Sequence, residues 1–337
     1  MTGLVARARL FLTLARPPLL YLLALSAALG VASGGAALDV VPLVRTLLVV
    51  APLMVCGVAL NDLSDVAVDR INLAGDPTRP LVSGRADVAA MRAVAVVSAA
   101  AALAVAATIG VAAVLVAGSG LALAAAHSLP PVRLSGRGIV GPLLLPFSMV
   151  AVPFVVGVLA AGGSFGTTTI GLLLALYVGF IGRLLLKDFR DVRGDALMGK
   201  RTFLVRRGRR ATCALSAVLW VAGSAALAVV PSHGWAVMTA WSTLLAVALV
   251  LLAQLATSTS HRRDERLVAA VAVAGRGLLL VLLADFGLVA LDAGPARSAA
   301  TLALLVGVML AWVLDVLRRD RFVAGPTWSA TAQESQR

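Results

Sequence analysis

Cysteine occurs twice and histidine three times in 337 residues. Cys56 and Cys213 both lie in apolar stretches, so they read as small buried hydrophobes and exclude a disulfide framework. His127, His233 and His261 are scattered, which leaves no Cys/His spacing for zinc. Charge is also scarce: 13% of the residues are charged and 60% are apolar, against about 25% and about 45–50% in a soluble domain. Too few charges remain to clothe a soluble chain of this length. Its apolar surface must face lipid.

The apolar residues fall into runs of about 20, the length a helix needs to cross a hydrocarbon core of about 30 Å. In lipid such runs are helical, because a helix satisfies its own backbone polar groups. Ten spans are predicted: Pro17–Ala36, Val41–Leu60, Val88–Gly110, Val111–His127, Ile139–Ala161, Thr168–Leu186, Ala211–Val230, Trp235–Ala256, Leu267–Leu291 and Ser298–Leu317. The third and fourth meet tightly at Gly110. Only Asp292-Ala-Gly-Pro295 separates the last two, which leaves a re-entrant segment open for one of them. The fold class is therefore an all-α polytopic membrane protein, with residues 1–320 as its transmembrane domain. A polar tail over 321–337 is expected to be loose.

Lys and Arg number 29 against 16 Asp and Glu. When the spans pair as hairpins, nearly all the basic residues fall on one side, while 160–166 and 231–234 carry none. The positive-inside rule then puts both termini and the basic loops in the cytoplasm, with the chain spanning the plasma membrane. A basic face beside anionic lipid accounts for the net charge of +13 without a nucleic-acid partner. The first 36 residues mimic a signal peptide, but Pro17-Pro18 and the length of the run favour a retained span.

The few acidic residues concentrate in two places. Asn61-Asp62-Leu-Ser-Asp65-Val-Ala-Val-Asp69 follows the second span, and Lys187-Asp188-Phe-Arg-Asp191-Val-Arg-Gly-Asp195 follows the sixth. Both place aspartates at i, i+3 and i+7, one face of a helix, where like charges repel. Mg²⁺ suits such a face, since it takes carboxylate, water and phosphate oxygens together. Basic residues follow each cluster: Arg70, Arg79 and Arg85 after the first, and Arg193, Lys200 and Arg201 after the second. Alternating carboxylates and cations fit a magnesium-bridged diphosphate. One cluster alone reads equally well as a solvated connector. Two with the same spacing, half the membrane region apart, suggest two pseudo-repeated halves around a central cavity.

The first cluster, followed by Arg79-Pro80-Leu-Val-Ser83-Gly84-Arg85, resembles the first motif of the UbiA superfamily of intramembrane prenyltransferases. Asp191 to Asp195 with Gly199-Lys200-Arg201-Thr202 is similar to its second motif, and Ser128-Leu-Pro130-Pro131-Val-Arg133-Leu134 to a third segment. His127 and Ser135 depart from the family's usual tyrosine and lysine, and the family typically has nine helices. The resemblance implies that Asp62, Asp65, Asp69, Asp188, Asp191 and Asp195 hold Mg²⁺ on a polyprenyl diphosphate. It also implies that Asn61, Arg79, Arg133, Lys187, Lys200 and Arg201 bind the substrate. Asp62, Asp65, Asp188 and Asp191 are the expected catalytic core. Phe147, Phe154, Tyr177 and Phe180 are candidates for stabilising an allylic cation.

The expected reaction is prenyl transfer within the membrane to a hydrophobic acceptor, aromatic or quinone-precursor in the leading reading. Transfer to a phosphorylated sugar or glycerol is the alternative, mildly favoured by Arg206, Arg207, Arg209 and Arg210, whose plainer reading is a basic flank. A terpene cyclase keeps the same metal site. A transporter is the reading from another class, opposed by ionisable groups gathered at one membrane face.

Overall fold

Helix starts and stops follow the local chemistry. In the computed structural model, residues 10–37, 39–72, 76, 78–197, 199–228 and 234–318 are described. Helix α1 (Pro17–Val31) opens on two prolines, whose missing N–H groups cost nothing in a first turn. Helix α2 is Val40–Asn72. The Asp87 carboxylate accepts the Ala90 N–H at 2.7 Å and caps α3 (Val88–Ile109). Gly110, at φ 149°, makes the sharp join to α4 (Val111–Ser128), a backbone angle that strains any side chain. Helix α5 (Val140–Ala160) loosens into a π-turn at Phe147–Ala151 directly after Pro146.

Helix α6 (Thr167–Leu185) breaks at Leu186-Lys187 before the short α7 (Asp188–Leu197). Four long helices complete the chain: α8 (Phe203–Ala228), α9 (Trp235–Thr257), α10 (His261–Ala290) and α11 (Pro295–Arg318). A two-residue parallel bridge joins β1 (Arg137–Gly138) to β2 (Arg201–Thr202) and ties together the loops after α4 and α7.

Among the described residues ten helices are long and apolar enough to span a bilayer, α10 and α11 included, so neither need be re-entrant. Val96, Leu115, Leu174, Val250 and Leu304 are exposed along their sides and form an apolar coat suited to lipid. Two apolar cores lie within α1–α5, and a third runs from α5 through α11, with Met149 touching both sets. Three expected boundaries move. Helix α2 continues past Leu60 through Asn72, so the first acidic cluster rides on its last turns. Helix α8 begins at Phe203, ahead of the expected Ala211. Helix α10 begins at His261, where Asp264 in its first turn favours the helix dipole. The first nine residues, Val230 and the 321–337 tail lie outside the described residues.

Without a hydrophobic drive between helices in lipid, close packing of small residues holds the bundle. At the α1–α5 seam a Cβ on Gly30 would stand 2.1 Å from the Phe154 carbonyl oxygen. A Cβ on Gly157 would stand 2.6 Å from the Ala27 carbonyl oxygen. Both contacts are with backbone, so neither can be relieved by a rotamer. Gly30→Ala is expected to lower stability by about 1–3 kcal/mol, the range for overpacking. Thermal unfolding in detergent checks this, with Gly118→Ala, whose Cβ meets nothing within 4 Å, as the silent control.

Candidate functional site: a carboxylate–cation network over a membrane cavity

Because α2 stays helical through the first cluster, Asp62, Asp65 and Asp69 share one face and turn inward, at 2%, 8% and 6% exposure. Carboxylates so deep need counter-charges. Arg16, in the residue that precedes α1, donates from Nη2 to Asp62 Oδ1 at 2.6 Å. Arg79 Nη1 donates to the same oxygen and also meets Asp69 Oδ2 at 3.1 Å. The Arg79 loop is shaped by an Asx turn in which the Thr78 N–H and hydroxyl both donate to Asp76. Burial pushes the Asp76 carboxyl up. The Thr78 hydrogen bonds, Arg190 and Arg79 outweigh that and hold it below the usual carboxylate range. The Arg190–Asp76 pair, at 3.6 Å, ties this loop to α7.

An ammonium group from the second half also reaches the first acidic cluster. Lys200 Nζ lies 3.0 Å from Asp65 Oδ1 and 3.5 Å from Asp195 Oδ1. The two acidic segments, far apart in sequence, thus share a cation. Arg133, in the left-handed region at φ 35°, adds Nη2 to Asp65 Oδ1 at 3.0 Å and to the Ser64 carbonyl at 3.4 Å.

Beneath the network lies a cavity of about 230 Å³. Its polar end includes Asn61, Asp65, Asp69, Asp188, Asp195 and Lys187. Its depth is apolar, walled by Leu53, Met54, Leu145, Met149 and Phe180.

The expected residues sort as follows. Asn61, Asp65, Asp69, Arg79, Lys187, Asp188, Asp195 and Lys200 line the cavity, and Asp62 and Arg133 join it through the ion pairs. Arg201 does not join: it is exposed in β2, where alternate side chains face opposite ways and Thr202 takes the inward place. The side chains of Asp191 and Arg193 lie outside the described residues. Of the four aromatic candidates only Phe180 faces the cavity. Phe154 is core, Phe147 packs on a core cluster, and the Tyr177 hydroxyl donates to the Leu143 carbonyl at 2.8 Å. Arg209 is committed elsewhere, paired twice with Asp264 and lying over the Phe189 ring. Arg16 was not anticipated, because nothing in its surroundings at the start of a span marks it as a partner of Asp62.

Among the described residues no three His, Cys, Asp or Glu side chains converge as a ready cation cage. The donor set still suits a hard ion. It is all carboxylate, and Asp62 Oδ2 is buried with no hydrogen-bond partner, an acceptor open to a cation. Among the described side chains Asp62, Asp65, Asp69, Asp188 and Asp195 match Arg16, Arg79, Arg133, Lys187 and Lys200 in number, so a diphosphate added alone would unbalance them. Divalent cations would restore the balance.

Arg79→Met, which removes one of the two guanidinium groups on Asp62 and the ion pair to Asp69, is expected to cost about 3–5 kcal/mol. Arg201→Ala should cost less than about 0.5 kcal/mol. Thermal unfolding of both variants measures the contrast.

Residues 20–275 match the model of the UbiA prenyltransferase family. The chain is 30% identical over 309 residues to the digeranylgeranylglyceryl phosphate synthase of Methanopyrus kandleri, covering 92% of this chain and 100% of that protein. Among solved structures it resembles one described under the biosynthesis of digeranylgeranylglyceryl phosphate synthase in membranes. There the TM-score is 0.63 at 18% identity, covering 83% of this chain and 98% of the other. It also resembles a UbiA homolog from Archaeoglobus fulgidus bound to GPP and Mg²⁺. There the TM-score is 0.58 at 18% identity, covering 92% and 100%. At these identities the two structures speak for the fold.

Proposed function

The chain belongs to the UbiA prenyltransferase family, and from that premise we propose that it moves a polyprenyl group from its diphosphate to a hydroxyl of a phosphorylated glycerol lipid, with Mg²⁺ as cofactor. The observation that carries this reading is the Lys200 ammonium shared by Asp65 and Asp195, which joins both acidic segments over one cavity. The Archaeoglobus homolog was solved with GPP and Mg²⁺, which supports a prenyl diphosphate and the metal here. The choice of acceptor departs from the aromatic one expected from the motifs. It follows the Methanopyrus relative, whose similarity runs over its entire length.

Asp62, Asp65, Asp69, Asp188 and Asp195 would hold the ions, and Asp191 is proposed with them. When bound, Mg²⁺ supplies Lewis-acid neutralisation of the charge that builds on the leaving diphosphate. Arg16, Arg79, Arg133 and Lys200 would then turn to phosphate oxygens, which accept hydrogen bonds from their forks and point charges. These cations are in place before the bond breaks, so little reorganisation is spent on the developing charge. Phe180 presents a ring to the cavity that can stabilise allylic positive charge. Leu53, Met54, Leu145 and Met149 take the prenyl tail and exclude water that would quench the cation. By the positive-inside argument this site opens to the cytoplasmic leaflet of the plasma membrane.

The test uses purified protein in detergent with Mg²⁺, labelled geranylgeranyl diphosphate and geranylgeranylglyceryl phosphate. A product carrying both prenyl chains is expected by mass. Chelation should abolish it, and Asp65→Asn or Asp195→Asn should lower kcat at least about 100-fold. Product with an aromatic acid alone would overturn the acceptor. Diphosphate release at full rate without any acceptor would favour a cyclase instead.

A further inference from the structure

A second cavity, about 250 Å³, adjoins the first and shares Leu19, Phe180, Leu184 and Lys187 with it. Its walls are mostly apolar, including Trp220, Trp241 and Leu279, yet two guanidinium groups line it: Arg183 from α6 and Arg276 from α10. None of its lining residues is acidic. Among the described residues the Arg183 side chain has no hydrogen bond or ion pair. Arg276 makes a single hydrogen bond, from Nη2 to the Pro18 carbonyl of α1 at 3.3 Å. Each guanidinium carries five donors. The two are like charges lining one cavity.

Charges placed inside a membrane bundle without counter-ions are expensive and mark function. The missing partner is an anion, and the absence of carboxylates says which kind. The first cavity needs metal to reconcile a diphosphate with its aspartates. The second offers bare guanidinium forks, which take a monophosphate directly. Its apolar walls suit the hydrocarbon of the same molecule. Resting on the phosphorylated-acceptor reading above, we propose that Arg183 and Arg276 form the subsite that holds the acceptor's phosphate. An acceptor anchored there has its hydroxyl end toward the shared Phe180–Lys187 wall, beside the donor's reacting carbon. Lys187, lining both cavities, stands between the two anionic groups and screens them from each other.

The test separates binding from turnover. Purified protein, without donor or metal, is titrated with geranylgeranylglyceryl phosphate, with the corresponding alcohol, or with dioleoyl phosphatidic acid, and thermal stabilisation is read. The phosphate should bind and the alcohol should not. Arg183→Gln and Arg276→Gln should each weaken binding at least about tenfold, and Arg183→Lys should retain most of it. Stabilisation by prenyl diphosphate with Mg²⁺ should be unchanged in all three variants, which shows that they fold. In turnover, Arg276→Gln should raise the acceptor KM and leave the donor KM unchanged.

Equal affinity for the alcohol, equal affinity for phosphatidic acid, or undiminished binding by both Gln variants would overturn the subsite. Arginine-dependent, phosphate-selective binding by a wild-type protein that transfers nothing would leave the subsite standing and sink the glycerol-phosphate transfer reading instead.

Discussion

Three carboxylates on one face of a helix, buried at the edge of a membrane, cannot stand without positive partners. That constraint organises the charged end of this bundle. Asp62, Asp65 and Asp69 are held by Arg16, Arg79, Arg133 and Lys200, which arrive from four separate segments of chain. The left-handed turn at Arg133, the Asx turn before Arg79 and the β1–β2 bridge beside Lys200 all place these cations. Removing one partner would leave a buried charge uncompensated, a larger loss than the worth of a surface pair.

The same pairing fits the proposed exchange between resting and loaded states. Each cation has a carboxylate to hold without substrate and, in the proposed reaction, a phosphate oxygen to take with it. The carboxylates would then be free for metal ions. Exchange of partners between like-charged groups costs less than stripping any group bare in a low-dielectric setting. The apolar chamber beneath then has only to fit hydrocarbon and exclude water. The second cavity obeys the opposite rule: it carries cations without carboxylates, and so presents itself to an anion that brings no metal.

Hydropathy made the ten spans legible, because lipid imposes helix on every long apolar run, but not the charged ends of α2, α8 and α10, which run well past the apolar stretch. The acidic spacing made the site legible too, since repetition at i, i+3 and i+7 has little structural use. Other features were hidden for definite reasons. Charged residues lower the hydropathy of the last turns of α2 without stopping the helix, so the apolar span reads as ending at Leu60. Lys200 and Arg201 are neighbours with the same charge, yet Lys200, just before β2, reaches Asp65 and Asp195 while Arg201, in β2, faces out. Arg183 and Arg276 lie on helices far apart in sequence, and each alone looks like an isolated cation within or beside a span. Arg209, read as a basic flank, packs on Phe189 and Asp264 through contacts no local pattern announces.

The central claim is that both acidic segments act on one diphosphate through shared divalent ions. Electron paramagnetic resonance of Mn²⁺ with a non-cleavable prenyl thiodiphosphate tests it directly in the purified protein. Bound Mn²⁺ should appear only when the analogue is present, and should be lost both in Asp62→Asn and in Asp195→Asn. Mn²⁺ held without the analogue, or lost from the first variant alone while the second binds it fully, would contradict the account.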